Sequence, residues 1–408
     1  MNIAFQRKID RIVGTFICRI LSLFYRKRSE VQTPVTADRI LVILLSEMGS
    51  LVLAHPMLQR IKNKFPETSL YFLVFEKNRE IVEILDVTET DNILTISNDS
   101  MLKFVKDSVA VITKMRKIKF DVVIDCELFA RVSSILSLLS GAPIRVGFHP
   151  YTQEGLYRGN FINVPVMYNP YHHISKQFIG FADAIDSVTV PTSKYAMTDN
   201  DLKAPLAKVG QEEISRMRTR VHNDFPEIKD KKLVLVYPTG GLLSIRAWPL
   251  DYFCQLSLDL LQKGYAVGVI GLEEDKKLAE AIQSHCQDPC CVDLTGYTRS
   301  IRELMILYHL AALLVANDGG PAHFATMTPL PTIILFGPET PELYGPLNEA
   351  AVSFHVPISC SPCLTAYNHQ TSPCDGDNLC LKLIHPEQVL AKALEILESQ
   401  ESAKFASV

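Results

Sequence analysis

The chain has 408 residues, 47% of them hydrophobic and 21% charged, with a formal net charge of −4. Such a length exceeds one ordinary core and predicts two domains of about 150–200 residues each. The slightly acidic balance supplies no global basic field, which argues against nucleic acid as a partner. Ten cysteines and no recognisable cleavage site for a signal peptide predict a reducing compartment rather than a disulfide scaffold.

The first element, within residues 1–30, is a basic amphipathic helix. Ile3, Phe5, Ile9, Ile12, Phe16, Ile17, Ile20, Leu23 and Phe24 recur at mostly helical spacing among Arg7, Lys8, Arg11, Arg19, Arg26, Lys27 and Arg28, with Asp10 the one acid. Its longest apolar stretch is broken by Arg19 and would span about 20 Å, against a hydrocarbon core of about 30 Å, so it is not expected to cross a bilayer. A helix of this kind can lie in the interface of an anionic membrane. The alternative is a helix packed on the body of the protein or used in oligomerisation.

From residue 38 the pattern alternates. Strands are predicted at 40–45, 70–75, 93–96, 121–125 and 144–147, and helices at 52–65, 79–85, 101–117 and 130–139. Continuous apolar strands between helices predict a parallel sheet covered on both faces. The rhythm fails over 151–230, with turns at 151–160, Asn169-Pro170 and Pro191, which places a connection at 191–230 between a first domain of 38–190 and a second of 231–385. The alternation resumes with strands at 233–237 and 266–270 and helices at 250–263, 274–285 and 301–311. A last helix begins near Pro386 and fills 386–408. Two tandem α/β halves predict a ligand cleft at the carboxyl ends of their strands.

The stretch from Leu313 to Pro346 carries the strongest motif. A short strand runs into Asn317-Asp318-Gly319-Gly320-Pro321, then a helix bearing His323, then a strand at 332–336 ending in Gly337-Pro338. Glycines at a strand-to-helix turn let backbone approach a ligand, and a helix N-terminus favours an anion. Upstream, Tyr237-Pro238-Thr239-Gly240-Gly241 follows a strand, and Thr239 can donate a hydroxyl to phosphate. Arg246, two residues before the only tryptophan, Trp248, offers a bidentate cation. Gly271 with Glu273, Glu274 and Asp275 ends another strand, where an acid commonly meets a ribose hydroxyl. Taken singly, a Gly-Gly turn, a lone histidine and a lone tryptophan are more often structural. No P-loop or dinucleotide fingerprint occurs.

The order Leu294, Gly296, Thr298, Glu303, Leu304, then Asn317 to His323, then Leu335-Phe336-Gly337-Pro338, resembles the bacterial lipopolysaccharide heptosyltransferases of glycosyltransferase family 9. In the first half, Arg39-Ile40-Leu41-Val42-Ile43 with Met48-Gly49-Ser50 through Pro56, Phe120 to Asp125, Arg131-Val132-Ser133 and Gly141 to Phe148 are similar to the same family. The similarity covers about 39–395. It implies a GT-B fold, two Rossmann-like domains with parallel sheets facing across a cleft, the acceptor held by the first domain and the donor by the second. A C-terminal helix usually packs back across the domains in that fold. The resemblance also implies an ADP-heptose donor, inversion at the anomeric carbon, and no cofactor for catalysis. By position, Asp318, Gly319, Gly320 and His323, together with Thr239, Gly240 and Glu273, would hold the donor, and Arg246 would balance the leaving-group charge.

One departure concerns the base. After Gly49 the family carries an aspartate, and this chain has Ser50, whose hydroxyl cannot act as a carboxylate near neutral pH. Asp125 is the first substitute, with Glu127 and Glu47 next; a loop-capping role for Asp125 stands equally. Near the C-terminus, Cys360, Cys363, Cys374 and Cys380 have spacing suited to a structural Zn or Fe ion, with reduced thiols or a disulfide as alternatives. The remaining six cysteines (Cys18, Cys126, Cys254, Cys286, Cys290, Cys291) read as packing thiols. The expected function is an inverting transfer of a heptose or related sugar to a hydroxyl of a lipopolysaccharide core or other glycolipid. The N-terminal helix would hold the enzyme on the inner face of the cytoplasmic membrane. A protein or small-molecule acceptor, or an inactive nucleotide-sugar-binding scaffold, are the rival readings.

Overall fold

The computed structural model describes residues 3–25, 37–45, 47–148, 157–189, 191–194, 196, 202–241, 243–365 and 370–406. Arg26, Lys27, Arg28 and the turn at 151–156 therefore lie outside the described residues. The chain divides into two compact units, Met1–Lys203 with Thr365–Gln370, and Ala204–Leu364 with Thr371–Val408.

The first unit opens with α1 (Ile3–Ile9), a π-helical turn (Asp10–Gly14) and α2 (Thr15–Phe24). Then come β1 (Arg39–Ile43), α3 (Met48–Leu53), α4 (His55–Lys64), β2 (Ser69–Phe75), α5 (Arg79–Leu85), β3 (Ile93–Ile96) and α6 (Met101–Ile118). It continues with β4 (Val122–Asp125), α7 (Arg131–Ser140), β5 (Ile144–Phe148), β6 (Val164–Val166) and α8 (Ile174–Ala184). The six strands pair in parallel in the order β3-β2-β1-β4-β5-β6. Strands such as Ile40–Ile43 are buried throughout, as a sheet covered by helices on both faces requires. Leu41, Ile43, Leu73, Val123, Met115 and Leu136 form the core beneath α6 and α7.

The second unit contains α9 (Gln211–Asp224), β7 (Leu233–Tyr237), α10 (Leu250–Gln262), β8 (Ala266–Gly271), α11 (Lys276–Cys286), β9 (Cys291–Thr295), α12 (Ile301–Tyr308) and β10 (Ala311–Asn317). After these come α13 (Gly320–Ala325), β11 (Thr332–Phe336), α14 (Pro341–Tyr344), β12 (Ala351–His355), α15 (Leu379–Lys382) and α16 (Pro386–Ala406). Its sheet is also parallel, in the order β12-β11-β10-β7-β8-β9. Each sheet thus reverses its strand order once, between β1 and β4 and between β7 and β10, and ligand crevices in open α/β sheets form at such points.

Several boundaries differ from the sequence expectation. The helix expected over 52–65 is two helices meeting at Ala54, because Pro56 lacks an N–H and starts a new helix near its N-terminus. The irregular stretch of 151–230 contains α8, α9 and the short β6, whose central Pro165 hides it in the sequence. Strands β9 and β12 also go unpredicted, since β9 alternates with polar residues and β12 is a half-exposed edge. Helix α16 lies on the second unit: Lys232 Nζ donates to Leu397 O at 3.2 Å and Gln400 Nε2 to Ala312 O at 2.9 Å.

The N-terminal helices pack on α7 along one narrow face. Asp10 caps α7, accepting from Arg131 N at 3.0 Å and Val132 N at 2.9 Å. Gly14 lies so close that an added Cβ would sit 2.8 Å from Arg131 Cβ, and Cys18 is wholly buried. The opposite face exposes Ile12, Phe16, Leu23 and Phe24, the last two about four-fifths exposed. No described helix is long and apolar enough to cross a membrane.

Candidate active site

At the first reversal point, the loop after β1 and the loop after β4 bring together Glu47, Gly49, Ser50, Asp125 and Glu127. These are the carboxylates and acceptor-loop residues expected from the sequence. Their surroundings differ sharply. Asp125, at the end of β4, is completely buried. One of its oxygens accepts from Arg158 Nη2 and the other from the Glu127 N–H at 3.2 Å. Arg158 also donates to Glu127 O, to Ala130 O at 2.8 Å and to Ser133 Oγ at 2.8 Å. Burial pushes the Asp125 carboxyl above its ordinary range, with Arg158 opposing. Sealed in this way, Asp125 caps the loop and neutralises a buried arginine.

Glu127 is nearly buried and accepts from Leu45 N at 2.7 Å, which ties the two loops. Burial first, then the charges of Glu47 and Asp125, raise its carboxyl to about 7. Glu47 is half-buried. One of its oxygens accepts from Ser50 Oγ at 2.9 Å and the other from Gln370 Nε2 at 3.1 Å. The Gln370 side-chain oxygen accepts in turn from Arg7 Nη2 at 3.1 Å, so a hydrogen-bonded chain runs from α1 to Glu47. Neither Arg158 nor Gln370 is legible as a site residue in the sequence: one follows a turn, the other lies in the cysteine-rich stretch.

The second reversal point is organised by Asn317, the last residue of β10. Its side-chain oxygen accepts from Trp248 N at 2.9 Å, and its amide donates to Thr239 O at 3.1 Å and Tyr237 O at 3.4 Å. One side chain therefore clamps the loop after β7 to the end of β10. Trp248 is core: its ring is buried and Nε1 donates to Ile384 O at 2.9 Å. The tight loop requires Gly240, where a Cβ would approach Leu243 O to 2.5 Å. Thr239 Oγ1 accepts from Gly241 N at 3.1 Å, leaving its own hydrogen to donate. Gly319 has open space where a Cβ would stand, so the turn presents bare backbone.

Around this turn lies a charged group. Arg246 Nη2 is 2.7 Å from Glu339 Oε1 and its Nε is 3.8 Å from Asp318 Oδ2, while His323 Nε2 is 3.9 Å from Asp318 Oδ1. Asp318, His323 and Glu339 are all buried. Arg246, Asp318 and His323 are thus brought together as expected, beside Gly319, Gly320, Thr239 and Gly240. Glu339 was missed, although it directly follows the Gly337-Pro338 motif. Glu273 lies one strand further along, exposed, where a Cβ on Gly296 would meet its carboxylate at 2.5 Å.

The four C-terminal thiols are all among the described residues. Among the described residues no three His, Cys, Asp or Glu side chains are placed to hold a metal ion. Cys360 and Cys374 are exposed and Cys380 is buried on α15. The thiol of Cys374 donates to Asn378 Oδ1 at 3.7 Å, and Ser372 Oγ donates to Cys363 Sγ at 3.1 Å. Burial raises the Cys380 thiol, and Cys363, Cys360 and Cys374 add to the rise, so the four sulfurs of the expected Zn or Fe site are neighbours without forming a ligand set among the described residues.

Residues 109–372 match the family model described as glycosyltransferase family 9 (heptosyltransferase). Lipooligosaccharide heptosyltransferase 2 of Haemophilus ducreyi is 21% identical over 320 residues, covering 77% of this chain and 87% of that protein. The structure of Escherichia coli ADP-heptose LPS heptosyltransferase II superposes with a TM-score of 0.69 at 18% identity, over 89% of this chain and 99% of the other. The iron-containing dodecameric glycosyltransferase TibC of enterotoxigenic E. coli gives a TM-score of 0.52 at 12% identity, over 91% and 79%. The two doubly wound sheets are those of a GT-B fold. A match over most of its length and the shared fold lead to one assignment: the chain is a glycosyltransferase and belongs to family 9, the heptosyltransferases.

Proposed function

We propose that the enzyme moves a heptose, or a closely related sugar, from its ADP carrier to a hydroxyl of a lipopolysaccharide core or similar glycolipid, with inversion. In this reading the two strand-order reversals divide the labour. The second unit holds the donor and the first prepares the acceptor. An acceptor oxygen attacks the anomeric carbon, the bond from that carbon to the β-phosphate oxygen breaks, ADP departs, and the hydroxyl proton passes to a carboxylate.

That carboxylate is Glu47. It is the accessible member of the acidic group, and geometry must come before acidity in choosing a base. Glu127, half-ionised near neutral pH, lies behind it as a second carboxylate. Thr239, the bare backbone at Gly319 and Gly320, and Arg246 meet the diphosphate, and His323 meets the diphosphate or the sugar. Arg246 exchanges its ion pairs with Glu339 and Asp318 for phosphate oxygens, so its charge is applied where negative charge grows in the transition state. The adenine carrier is supported by the description of the E. coli neighbour as an ADP-heptose enzyme.

The same reading places the protein at the inner face of the cytoplasmic membrane, with the exposed apolar side of α2 laid into the lipid interface and Lys8, Arg11 and Arg19 beside it. The observation that carries turnover, rather than mere donor binding, is the Glu47 carboxylate 2.9 Å from the Ser50 hydroxyl. It supplies a base within one hydrogen bond of the position that lacks one. Incubating the protein with ADP-heptose and a heptose-free core glycolipid should yield a product one heptose heavier, with the opposite anomeric configuration by NMR. No transfer to any lipid-linked core would overturn the proposal.

A further inference from the structure

Helix α6 carries a second apolar and basic strip that neither the core nor the active site uses. Its inner face, Val111 and Met115 among others, is buried beneath the sheet. On the opposite face Leu102, Val105 and Val109 recur at i, i+3 and i+7 and are 85%, 53% and 60% exposed. Lys106 and Lys117 stand on the same stripe, both exposed. Single exposed apolar residues need no explanation, but a row of them at helical spacing interleaved with lysines does.

Location decides what could cover it. Helix α6 connects β3 to β4 and helix α7 connects β4 to β5, and both connections run in the same direction along the first sheet, so right-handed crossovers place the two helices on one face. Helix α7 packs against α6 and also against α2 and the π turn. The α6 strip and the exposed side of α2 thus border the same helix within one unit, and both combine large apolar side chains with positive charge.

We infer that α6 is a second membrane contact, docking Leu102, Val105 and Val109 into the interface of an anionic bilayer with Lys106 and Lys117 on its headgroups. The inference builds on the membrane reading of α2. An anionic bilayer is the partner whose charge complements both strips, and two separate anchors hold a peripheral protein more firmly than one. Two anchors also fix the orientation of the first unit on the surface, which a single helix leaves free to pivot.

The test is co-sedimentation of the full chain with vesicles of phosphatidylcholine alone or mixed with phosphatidylglycerol, at low and high salt. The expected result is binding only to the anionic vesicles. It should weaken at least about 10-fold in the pair K106E and K117E and in the pair L102Q and V109Q. Both pairs lie outside the active site and should keep wild-type melting; the charge pair suffices if the apolar pair melts early. Wild-type affinity in both α6 pairs, with binding lost in F16E and L23E, overturns the α6 contact and leaves the α2 reading standing. No vesicle binding by the unaltered chain sinks both. If light scattering shows an oligomer that L102Q and V109Q dissociate, the strip is an interface between copies and the inference fails.

Discussion

The Ser50 hydroxyl donates to Glu47 Oε2 across 2.9 Å, so the residue that stands where the family resemblance implies an aspartate is hydrogen-bonded to the carboxylate three positions earlier. The hydroxyl orients that carboxylate instead of competing with it. Glu47→Gln should lower kcat by about 10²–10⁴-fold, the usual worth of a general base, with donor affinity unchanged by calorimetry. Ser50→Ala removes only a hydrogen bond and should cost less than about 10-fold, the equivalent of about 1 kcal/mol. Equal losses in both variants would mean that Ser50 itself touches the acceptor.

Glu127 should set the pH dependence. Its carboxyl is raised from 4.5 to about 7 by burial and by Glu47 and Asp125. Its ionisation places a second negative charge beside Glu47, so kcat/KM should climb through about pH 7, and Glu127→Gln should flatten that limb. Stability runs the other way. Above pH about 4.5 the unfolded chain has released a proton that the folded chain still holds, so this contribution is full at low pH and lost as pH rises through about 7. Glu127→Gln, which keeps an acceptor for Leu45 N–H, should therefore melt increasingly above the wild type between about pH 5 and pH 8.

Asp125 should behave as a structural residue. Replacing it by Asn leaves Arg158 buried without its counter-charge, a change that costs about 3–5 kcal/mol in comparable pairs. Urea unfolding should show that loss, and a double-mutant cycle with Arg158→Met should recover part of it. Turnover measured well below the melting temperature should fall far less than in Glu47→Gln. The reverse pattern would restore Asp125 as the base.

Arg246 is held by Glu339 at 2.7 Å and approached by Asp318 at 3.8 Å. Lysine keeps the charge but not the planar fork that can span two phosphate oxygens. Arg246→Lys should lower kcat by about 10²-fold while changing KM for the donor little, since the lost interaction is strongest in the transition state. Glu339→Gln loosens the present partner and should tighten ADP binding, read by calorimetry.

Much of the architecture is legible in the chain. Buried strands such as Ile40–Ile43 and Leu233–Tyr237 are nearly continuous apolar runs, because a parallel sheet covered on both faces admits little else. Elements that depend on neighbours are less visible. The three-residue β6 and the edge strand β12 have too little periodicity to register before β5 and β11 pair with them. The candidate site divides similarly. Asp318, Gly319, Gly320 and His323 announce themselves because a strand-to-helix turn that approaches an anion tolerates few residue types. The partners Arg158, Glu339 and Gln370 do not, since each acts through a contact with residues distant in sequence.

The acidic group shows most plainly where local sequence stops being informative. Asp125, Cys126 and Glu127 are adjacent, and nothing in their order says which carboxylate is sealed and which is poised. Alternation, glycine turns and charge are local properties, so two doubly wound units, a glycine-rich strand-to-helix turn and a basic amphipathic start were already set by the chain alone. The roles of Glu47, Asp125 and Glu127 depend on desolvation and on the charges nearby. Those quantities exist only once the fold has buried Arg158 against Asp125 and brought Gln370 to Glu47.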